Sequence, residues 1–351
     1  MSKIIVKNAT TGQELLWRSI KIRKSLDEIC HTLELEIPPS ERLKVGRHNR
    51  LEVRCINNMV KDSSGERRVT TVLVDEVTSS ADVAKYSLTV IGRSPARDII
   101  DSTWTWSYWS STKLEVIAND IATPFFNAVG IEGIKNNRNI HVARIPEDSP
   151  ETDFVNRFSW NNESPWTKLI DEADQQGFIF TSNEAGNLYL WKVDSGNRVE
   201  PFHITEGVNV KNIRWTENGS EQFHEYVVKG GGYEVREQDN TCPGNRRLSI
   251  NIDDPFVVRT ELQHRAETEK RRRRENKTIV TVPGWGLTNE QIISMGETIR
   301  KEIYWVPNIL IPVKVPSLGL DAKLLISEVE YTATADAMSC DITLVNRGMY
   351  L

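Results

Sequence analysis

Short runs of alternating apolar and polar residues constrain this 351-residue chain more than any other feature of its sequence. Six such runs lie in residues 1–95, including RSIKIRK and HTLELEI, and turn-forming sequences such as PPS and DSSG separate them. A two-residue period is typical of a β-strand with one buried and one solvated face. Leu33, Leu35 and Ile37 should therefore point inward. Six short antiparallel strands favour a small β-barrel over residues 1–95.

The pattern changes to a helical one after residue 95. Apolar spacing predicts helices near residues 112–123 and 164–176, the first capped by Ser111 or Thr112 and ended by Pro124. Ser164 and Pro165 are typical of the N-cap and the first position of the second helix. The sequence FIFTSNEAGNLYLWK predicts a hairpin over 178–193. Residues 96–200 are thus predicted to form a small mixed α/β unit.

Strand-like runs return after residue 201. Six of them, from EYVVKG to MSCDITLVN, are interrupted by one helix predicted near residues 288–304. We therefore expect a second barrel over 201–351. The predicted fold class is mainly β with an α+β insert: two small antiparallel β-barrel domains plus the mixed α/β unit. The two halves share no visible repeat of individual residues, so any duplication is one of architecture.

Composition excludes several function classes. The formal net charge is −5, which argues against a nucleic-acid binder by bulk charge. No apolar run approaches the roughly 18 residues of a membrane-spanning helix, and MSKIIVKNAT lacks the apolar core of a signal peptide. We expect folding in the cytosol without membrane insertion. The four cysteines are spaced too far apart for zinc-type pairs or a dense disulfide frame, and are expected to be reduced and mostly buried.

No set of catalytic residues emerges from the sequence. The six histidines are scattered, and the chain contains no HExxH, GxSxG, P-loop or GxGxxG motif. We predict no enzyme activity, no catalytic residue, no cofactor and no metal. A hydrolase with a dispersed active site remains a rival, and it would require a deep pocket with a carboxylate or histidine of strongly shifted pKa.

Two segments are candidates for a protein interface. The first is the tryptophan-rich STWTWSYWSS, in which Trp104 and Trp106 share one face; these rings could stack on bases or sugars, or cap a joint between domains. The second is TEKRRRRENK, with five consecutive cations from Lys270 through Arg271, Arg272 and Arg273 to Arg274. Its apolar stripe is thin and glutamates flank it, which favours a solvated segment facing solvent or an acidic protein surface. Contact with a polyanion remains open.

Four stretches carry a resemblance to a known family. They are VTSSADVAKYSLTVIGRSPARDIIDST, SPWTKLIDEADQQGFIFTSNEAGNLYLWK, VPGWGLTNEQI and the closing WVPNILIPVKVPSLGLDAKLLISEVEYTATADAMSCDITLVN. In this order and spacing they resemble the baseplate hub (tail) protein of Mu-like contractile-tail phages and prophages. That group is related to the hub proteins of other myophages and to the base of type VI secretion spikes.

The resemblance implies a structural role in the virion. A homotrimer with two barrels per chain would present six barrels in a ring, adapting a six-fold tail tube to a three-fold spike. The implied partners are the tube, spike and other baseplate proteins, with DNA only passing through the central channel. The implied location is the tail baseplate of the virion, assembled in the host cytoplasm. The alternative function is a glycan- or nucleic-acid-binding module that uses the tryptophan cluster and the arginine run.

Overall fold

The structure, a computed structural model, describes the residues in eleven segments. These are 3–56, 66–81, 86–103, 106–134, 140–145, 151–160, 164–192, 203–252, 257–274, 276–286 and 304–350. The fold is mostly β, as the sequence predicts.

The front of the chain forms seven strands, six of which correspond to the six alternating runs. They are β1 (Lys3–Asn8), β2 (Glu14–Leu15), β3 (Ser19–Ser25), β4 (Thr32–Ile37), β5 (Arg50–Ile56), β6 (Glu66–Ala81) and β7 (Tyr86–Arg93). Alternation places Leu33, Leu35 and Ile37 of β4 in the core, each at most 1% exposed. The pattern of the sequence thus gives the face of each strand, since successive side chains point to opposite sides of a sheet.

A mixed unit follows. It contains α1 (Arg97–Asp101), β8 (Trp106–Lys113), α2 (Leu114–Ala128), β9 (Val142–Ile145), β10 (Phe154–Trp160), α3 (Pro165–Gln175), β11 (Phe178–Ser182) and β12 (Leu188–Lys192). Ser164 caps α3 by accepting a hydrogen bond from the backbone N–H of Trp166. The unit has its own apolar core, to which Ile29 and Cys30 of the front segment also contribute.

Helix α2 differs from its predicted form at both ends. Ser111 and Thr112 lie in β8, and Lys113 is the N-cap residue without a side-chain cap. Helix α2 also continues past Pro124 to Ala128. Proline removes one backbone donor and disfavours a helical conformation before it. Here burial of Phe126 beyond the proline provides the packing that keeps the last turn helical.

The back of the chain holds the remaining elements. They are β13 (Ile204–Thr205), β14 (Asn212–Thr216), β15 (Glu225–Gly230), β16 (Tyr233–Gln238), β17 (Arg247–Asn251), α4 (Arg259–Arg274), β18 (Lys277–Pro283), β19 (Leu310–Val315), β20 (Leu320–Thr334) and β21 (Met338–Val345). The helix predicted near residues 288–304 falls outside the described residues except for Tyr304, which bridges to Gly286.

Two of the predicted back strands leave the main sheet. EYVVKG and RLSINID form β15 and β17, which pair in parallel and join β16 in a separate three-stranded sheet. Helix α4 packs on this sheet, and Leu262 and Ala266 share a small apolar core with Val228 and Val235. Residues 225–274 are therefore an insertion between β14 and β18.

The other strands of the front and back halves form one 13-stranded sheet. Its main path runs β14-β18-β21-β20-β3-β4-β7-β6-β5-β1-β2, with β19 beside β20 and β13 beside β19. Among the described residues the path is open and closes no barrel, because β14 and β2 end it without meeting. The predicted number of barrels therefore stays a prediction. The two halves share one apolar core, which extends from Ile4 to Leu344.

The two halves of this sheet repeat the same strand order. The front half reads β3-β4-β7-β6-β5-β1, and the back half reads β14-β18-β21-β20-β19-β13. Each front strand can be matched with the back strand at the same place in this order, for example β3 with β14 and β6 with β20. The matched strands also occur in the same order along the sequence. One difference is the final strand, since β1 is antiparallel to β5 whereas β13 is parallel to β19.

The pairing registers repeat as well. A row of apolar residues crosses four strands in the front half and another crosses four in the back half: Ile20–Leu35–Val90–Val77 and Ile213–Val280–Ile342–Val329. Each long strand also carries a bulge at the matching place, between Val74 and Glu76 in β6 and between Ile326 and Glu328 in β20. Equal registers over several strands indicate two copies of one architecture.

A backbone detail beside each bulge repeats too. His48 and Asn308 both have positive φ, 66° and 65°. The N–H of His48 donates to the carbonyl oxygen of Val74 at 2.9 Å, and the N–H of Asn308 donates to that of Ile326 at 2.8 Å. Left-handed backbone is uncommon in residues other than glycine, so its recurrence at equivalent positions supports the duplication independently of the strand order.

Candidate assembly surface

The arginine run lies in α4, and the helix has a buried side. Leu262, Ala266 and Glu269 are buried, and Leu262 and Ala266 face the small sheet. The sequence predicted that this segment is solvated, and that prediction is wrong for the side of α4 that faces the small sheet. A stripe of two residues four positions apart suffices because it covers only three short strands.

Three of the five cations in the run pair with acids of the same chain. Lys270 Nζ lies 2.9 Å from Glu237 Oε2 of β16. Arg273 Nε lies 2.9 Å from Glu269 Oε2, one helical turn earlier. Much of the positive charge that the sequence displays is thus neutralised locally.

The third pair joins α4 to α3. Arg272 Nη2 lies 3.2 Å from Asp174 Oδ1, and Arg265 Nη1 lies 3.4 Å from Asp174 Oδ2. His264 Nε2 lies 3.0 Å from the carbonyl oxygen of Asp174. Burial by itself lowers the pKa of the Arg272 guanidinium, but the Asp174 carboxylate more than offsets this, so the net shift of the pKa is upward. Asp174 is the residue that sequence reasoning missed; its position in the last turn of α3 gave no signal of a partner almost one hundred residues away.

The last two arginines of the run have different surroundings. Arg274 is exposed at the end of α4. Arg271 is partly buried, and its Nε atom has no hydrogen-bond partner among the described residues. Of the five predicted interface cations, Arg274 is the most accessible to another molecule.

The tryptophan cluster is only partly described. Trp104 lies outside the described residues, and for Trp106 only the backbone is described, which pairs with Trp160 in the β8–β10 ladder. Trp109 is half-buried against the core of the mixed unit, with its ring 5.9 Å from that of Phe158 in an edge-to-face arrangement. The indole N–H of Trp109 donates to Asp120 Oδ2 at 3.2 Å. This ring serves packing within the chain.

Two of the unpaired strand edges in the described part of the chain lie on the main sheet, on β14 and on the C-terminal half of β6. Strand β14 pairs only with β18, so its other edge is open. The C-terminal half of β6, residues 76–81, pairs only with β7. Its opposite edge, which β5 covers in the N-terminal half of β6, is open over these residues. Trp215 of β14 is 50% exposed. An unpaired edge presents backbone N–H and C=O groups to any strand that can reach it.

A cleft of about 410 Å³ lies between the turn at residues 26–30, α3 and α4. Two of its carboxylates have partners within the chain: Asp174 pairs with Arg272, and Asp27 accepts a hydrogen bond from the Tyr350 hydroxyl at 2.8 Å. Burial raises the pKa of the Cys30 thiol to about 11, so this thiol is protonated at neutral pH and is a poor nucleophile.

The remaining reactive side chains form no further site in the described segments. All four cysteines are buried and free. No group of three or more His, Cys, Asp or Glu side chains among the described residues is placed to hold a metal ion. Of the helices described, none combines the length and the apolar character needed to cross a membrane.

Comparisons with known proteins give a result only at the level of structure. No family model matches the sequence, and no curated protein matches it. Among solved structures, the 43 kDa tail protein of prophage MuSo2 from Shewanella oneidensis superposes with a TM-score of 0.76, over 99% of both chains at 21% identity. The chain has the fold of prophage tail proteins.

Two further structures extend this prophage tail fold. A tail protein from Neisseria meningitidis MC58 matches with a TM-score of 0.75 at 15% identity, over 99% of this chain and 98% of the other. A component of the E. coli type VI secretion system, itself structurally similar to the phage T4 tail proteins gp27 and gp5, matches with a TM-score of 0.54 at 10% identity, over 97% of this chain and 76% of the other. The predicted resemblance to tail proteins is confirmed by these neighbours.

Proposed function

We propose that this protein is the structural hub of a phage-tail baseplate: a homotrimeric ring that adapts the six-fold tail tube to the three-fold spike. The observation that carries the proposal is the internal repeat. Two halves with the same strand order, the same registers and the same bulge give each chain two like modules. Three such chains would supply six modules at equivalent positions, which a chain with a single module could not do.

The fold of prophage tail proteins supports the same proposal. The neighbours span nearly the full length of the chain, including the mixed unit and the small inserted sheet. The partners we infer are the tube and spike proteins and other baseplate components, with DNA passing through the central channel. The protein would then reside in the baseplate of the virion.

The alternative of a polyanion-binding module has less support. Lys270, Arg272 and Arg273 have acidic partners within the chain, which leaves two of the five cations of the run, Arg271 and Arg274, to hold phosphates. Within STWTWSYWSS, the tryptophan whose side chain is described is Trp109, and it packs against the core of the mixed unit.

Light scattering on the purified protein tests the proposed trimer. We expect a single species with three times the 40.0 kDa mass of the chain. A monodisperse monomer at micromolar concentration in every buffer would contradict the proposal. Steep salt-dependent binding to an oligonucleotide would instead favour the alternative.

A further inference from the structure

Among the described residues, one strand pair joins the two repeated halves within the chain. Strand β3 lies antiparallel to the C-terminal half of β20, with Ile22 opposite Tyr331 and Arg23 opposite Glu330. Two ion pairs cross the exposed face of this joint: Lys21 to Glu330 at 3.0 Å and Arg23 to Glu328 at 2.8 Å. The joint therefore combines a buried apolar face with a charged outer face.

The repeat assigns an equivalent to each side of this joint. Strand β3 of the front half corresponds to β14 of the back half, and β20 corresponds to β6. The residues of β20 that receive β3, Glu328–Thr334, correspond to positions from 76 onward in β6. These two equivalents are the two open edges described above, and in a single chain they do not pair with each other.

We propose that a second copy of this chain joins these edges: β14 of one copy adds antiparallel to residues 76–81 of β6 in its neighbour. The inference rests on the proposed ring and specifies the contact that builds it. Transferring the register of the β3–β20 pair places Thr78 opposite Thr216, Ser79 opposite Trp215 and Ser80 opposite Arg214. The contact between neighbouring modules would then be the same between chains as it is within each chain. This is the condition for six modules to form a ring with equal spacing.

Side-chain sizes at the transferred positions complement one another. Within the chain, the medium-sized Ile22 faces the large Tyr331, and both are buried. At the proposed contact the sizes are exchanged, since the large Trp215 faces the small Ser79. A large ring that faces a small side chain avoids overpacking at the contact. It would also cover Trp215, which is half exposed in the single chain.

The neighbouring positions agree with the same register. Ile213 and Val77 are partly buried against the core, and Ala81 would face Ile213 at the proposed contact. On the outer face, Arg214 would lie opposite Ser80 and meet no cation. Like charges directly opposite each other destabilise a strand pair, and this register avoids them.

A cysteine pair tests the proposed register. The double variant Thr78→Cys with Thr216→Cys places two thiols directly opposite each other across the contact, within reach of a disulfide. The control is Thr78→Cys with Asn212→Cys, whose second thiol is displaced along β14 by four residues, about 13 Å. The native thiols are buried and should not compete. Both variants are measured by light scattering, then treated with oxidised glutathione and run on a non-reducing gel.

We expect both variants to have trimer mass, with covalent dimers and trimers taking more than half of the Thr216→Cys sample and less than a tenth of the control. Trimer mass without cross-linking of the in-register pair, or equal cross-linking in both variants, would overturn this contact and leave the proposed ring standing. An intrachain disulfide in the in-register pair would also overturn it, because the two edges would then meet within one chain. A monomer mass for the unmodified protein would remove both proposals.

Discussion

At the scale of single residues, a buried polar network holds the mixed unit against the front half of the sheet. His31 Nδ1 lies 3.2 Å from Thr70 Oγ1, and the backbone N–H of His31 donates to Ser94 Oγ at 3.2 Å. Ser94 Oγ in turn lies 2.8 Å from Ser182 Oγ of β11. Burial lowers the pKa of His31 well below its ordinary value, and the nearby Lys24 ammonium lowers it further. His31 is therefore neutral in the folded protein.

A pH dependence of stability follows from this neutral histidine. Below about pH 6.5 the histidine of the unfolded chain binds a proton that the folded chain does not, so the free energy of unfolding falls as the pH drops. The loss for one such group approaches about 1.4 kcal/mol per pH unit. We predict that His31→Gln is less stable than the wild type at pH 7.5 but loses about 1 kcal/mol less between pH 6.5 and 5.5. Urea unfolding at matched protein concentration measures both curves, and parallel curves would show that His31 takes up its proton in the folded state.

At the scale of elements, α4 is held by ion pairs in addition to its apolar stripe. Asp174 is largely buried and takes its charge partners from α4, namely Arg272 and Arg265. Removing one of the two arginines leaves the buried Asp174 carboxylate with fewer charged partners. This lowers the free energy of unfolding more than the loss of an exposed charge does. The exposed Arg274 at the end of the same helix has no such role.

We therefore predict different effects for two neighbouring arginines. Arg272→Met should lower the free energy of unfolding by about 1–3 kcal/mol, toward the lower end because Arg265 still faces Asp174. Arg274→Met should change it by no more than about 0.5 kcal/mol. Urea unfolding monitored by tryptophan fluorescence measures both. Equal effects of the two substitutions would mean that the contact between α4 and α3 contributes nothing to stability.

The elements that sequence reasoning predicted well are those whose strands have a buried face. The six front runs all became strands of the main sheet, and KTIVTVP, NILIPVKV, AKLLISEVEYTA and MSCDITLVN became β18 to β21. Strand β14 was missed because NIRWT is short and mostly exposed in the single chain, so it lacks a two-residue period of burial. EYVVKG and RLSINID were predicted as strands but given to the wrong sheet, since period alone does not say which strands pair.

The candidate surface could be predicted only in part for a related reason. The run of cations is visible in the sequence, but its acidic partners Asp174 and Glu237 lie far away along the chain and come close only through the fold. The stripe of Leu262 and Ala266 was visible too, but it was considered too narrow because a helix that packs on a large core needs a wider apolar face. The small sheet that it covers could not be foreseen without the pairing of β15 with β17.

At the scale of the whole molecule, the repeat explains why β14 and the C-terminal half of β6 have open edges: they are the equivalents of β3 and of the C-terminal half of β20, which pair with each other within the chain. A single chain makes the joint between its halves once, through β3 and β20. In the proposed ring, another copy makes the second joint. Exposed edges of this kind are usually protected or paired in stable proteins. The architecture of one chain is thus consistent with a part of a ring.

Electron cryo-microscopy of the purified protein tests this central claim most directly. The account predicts rings with a central hole, three-fold symmetry and six similar β-modules at one radius, alternating between front and back halves of successive chains. It also predicts continuous strand pairing around the ring, with β14 beside β6 at every contact between chains. Isolated single chains, or rings in which the two halves lie at different radii, would contradict it.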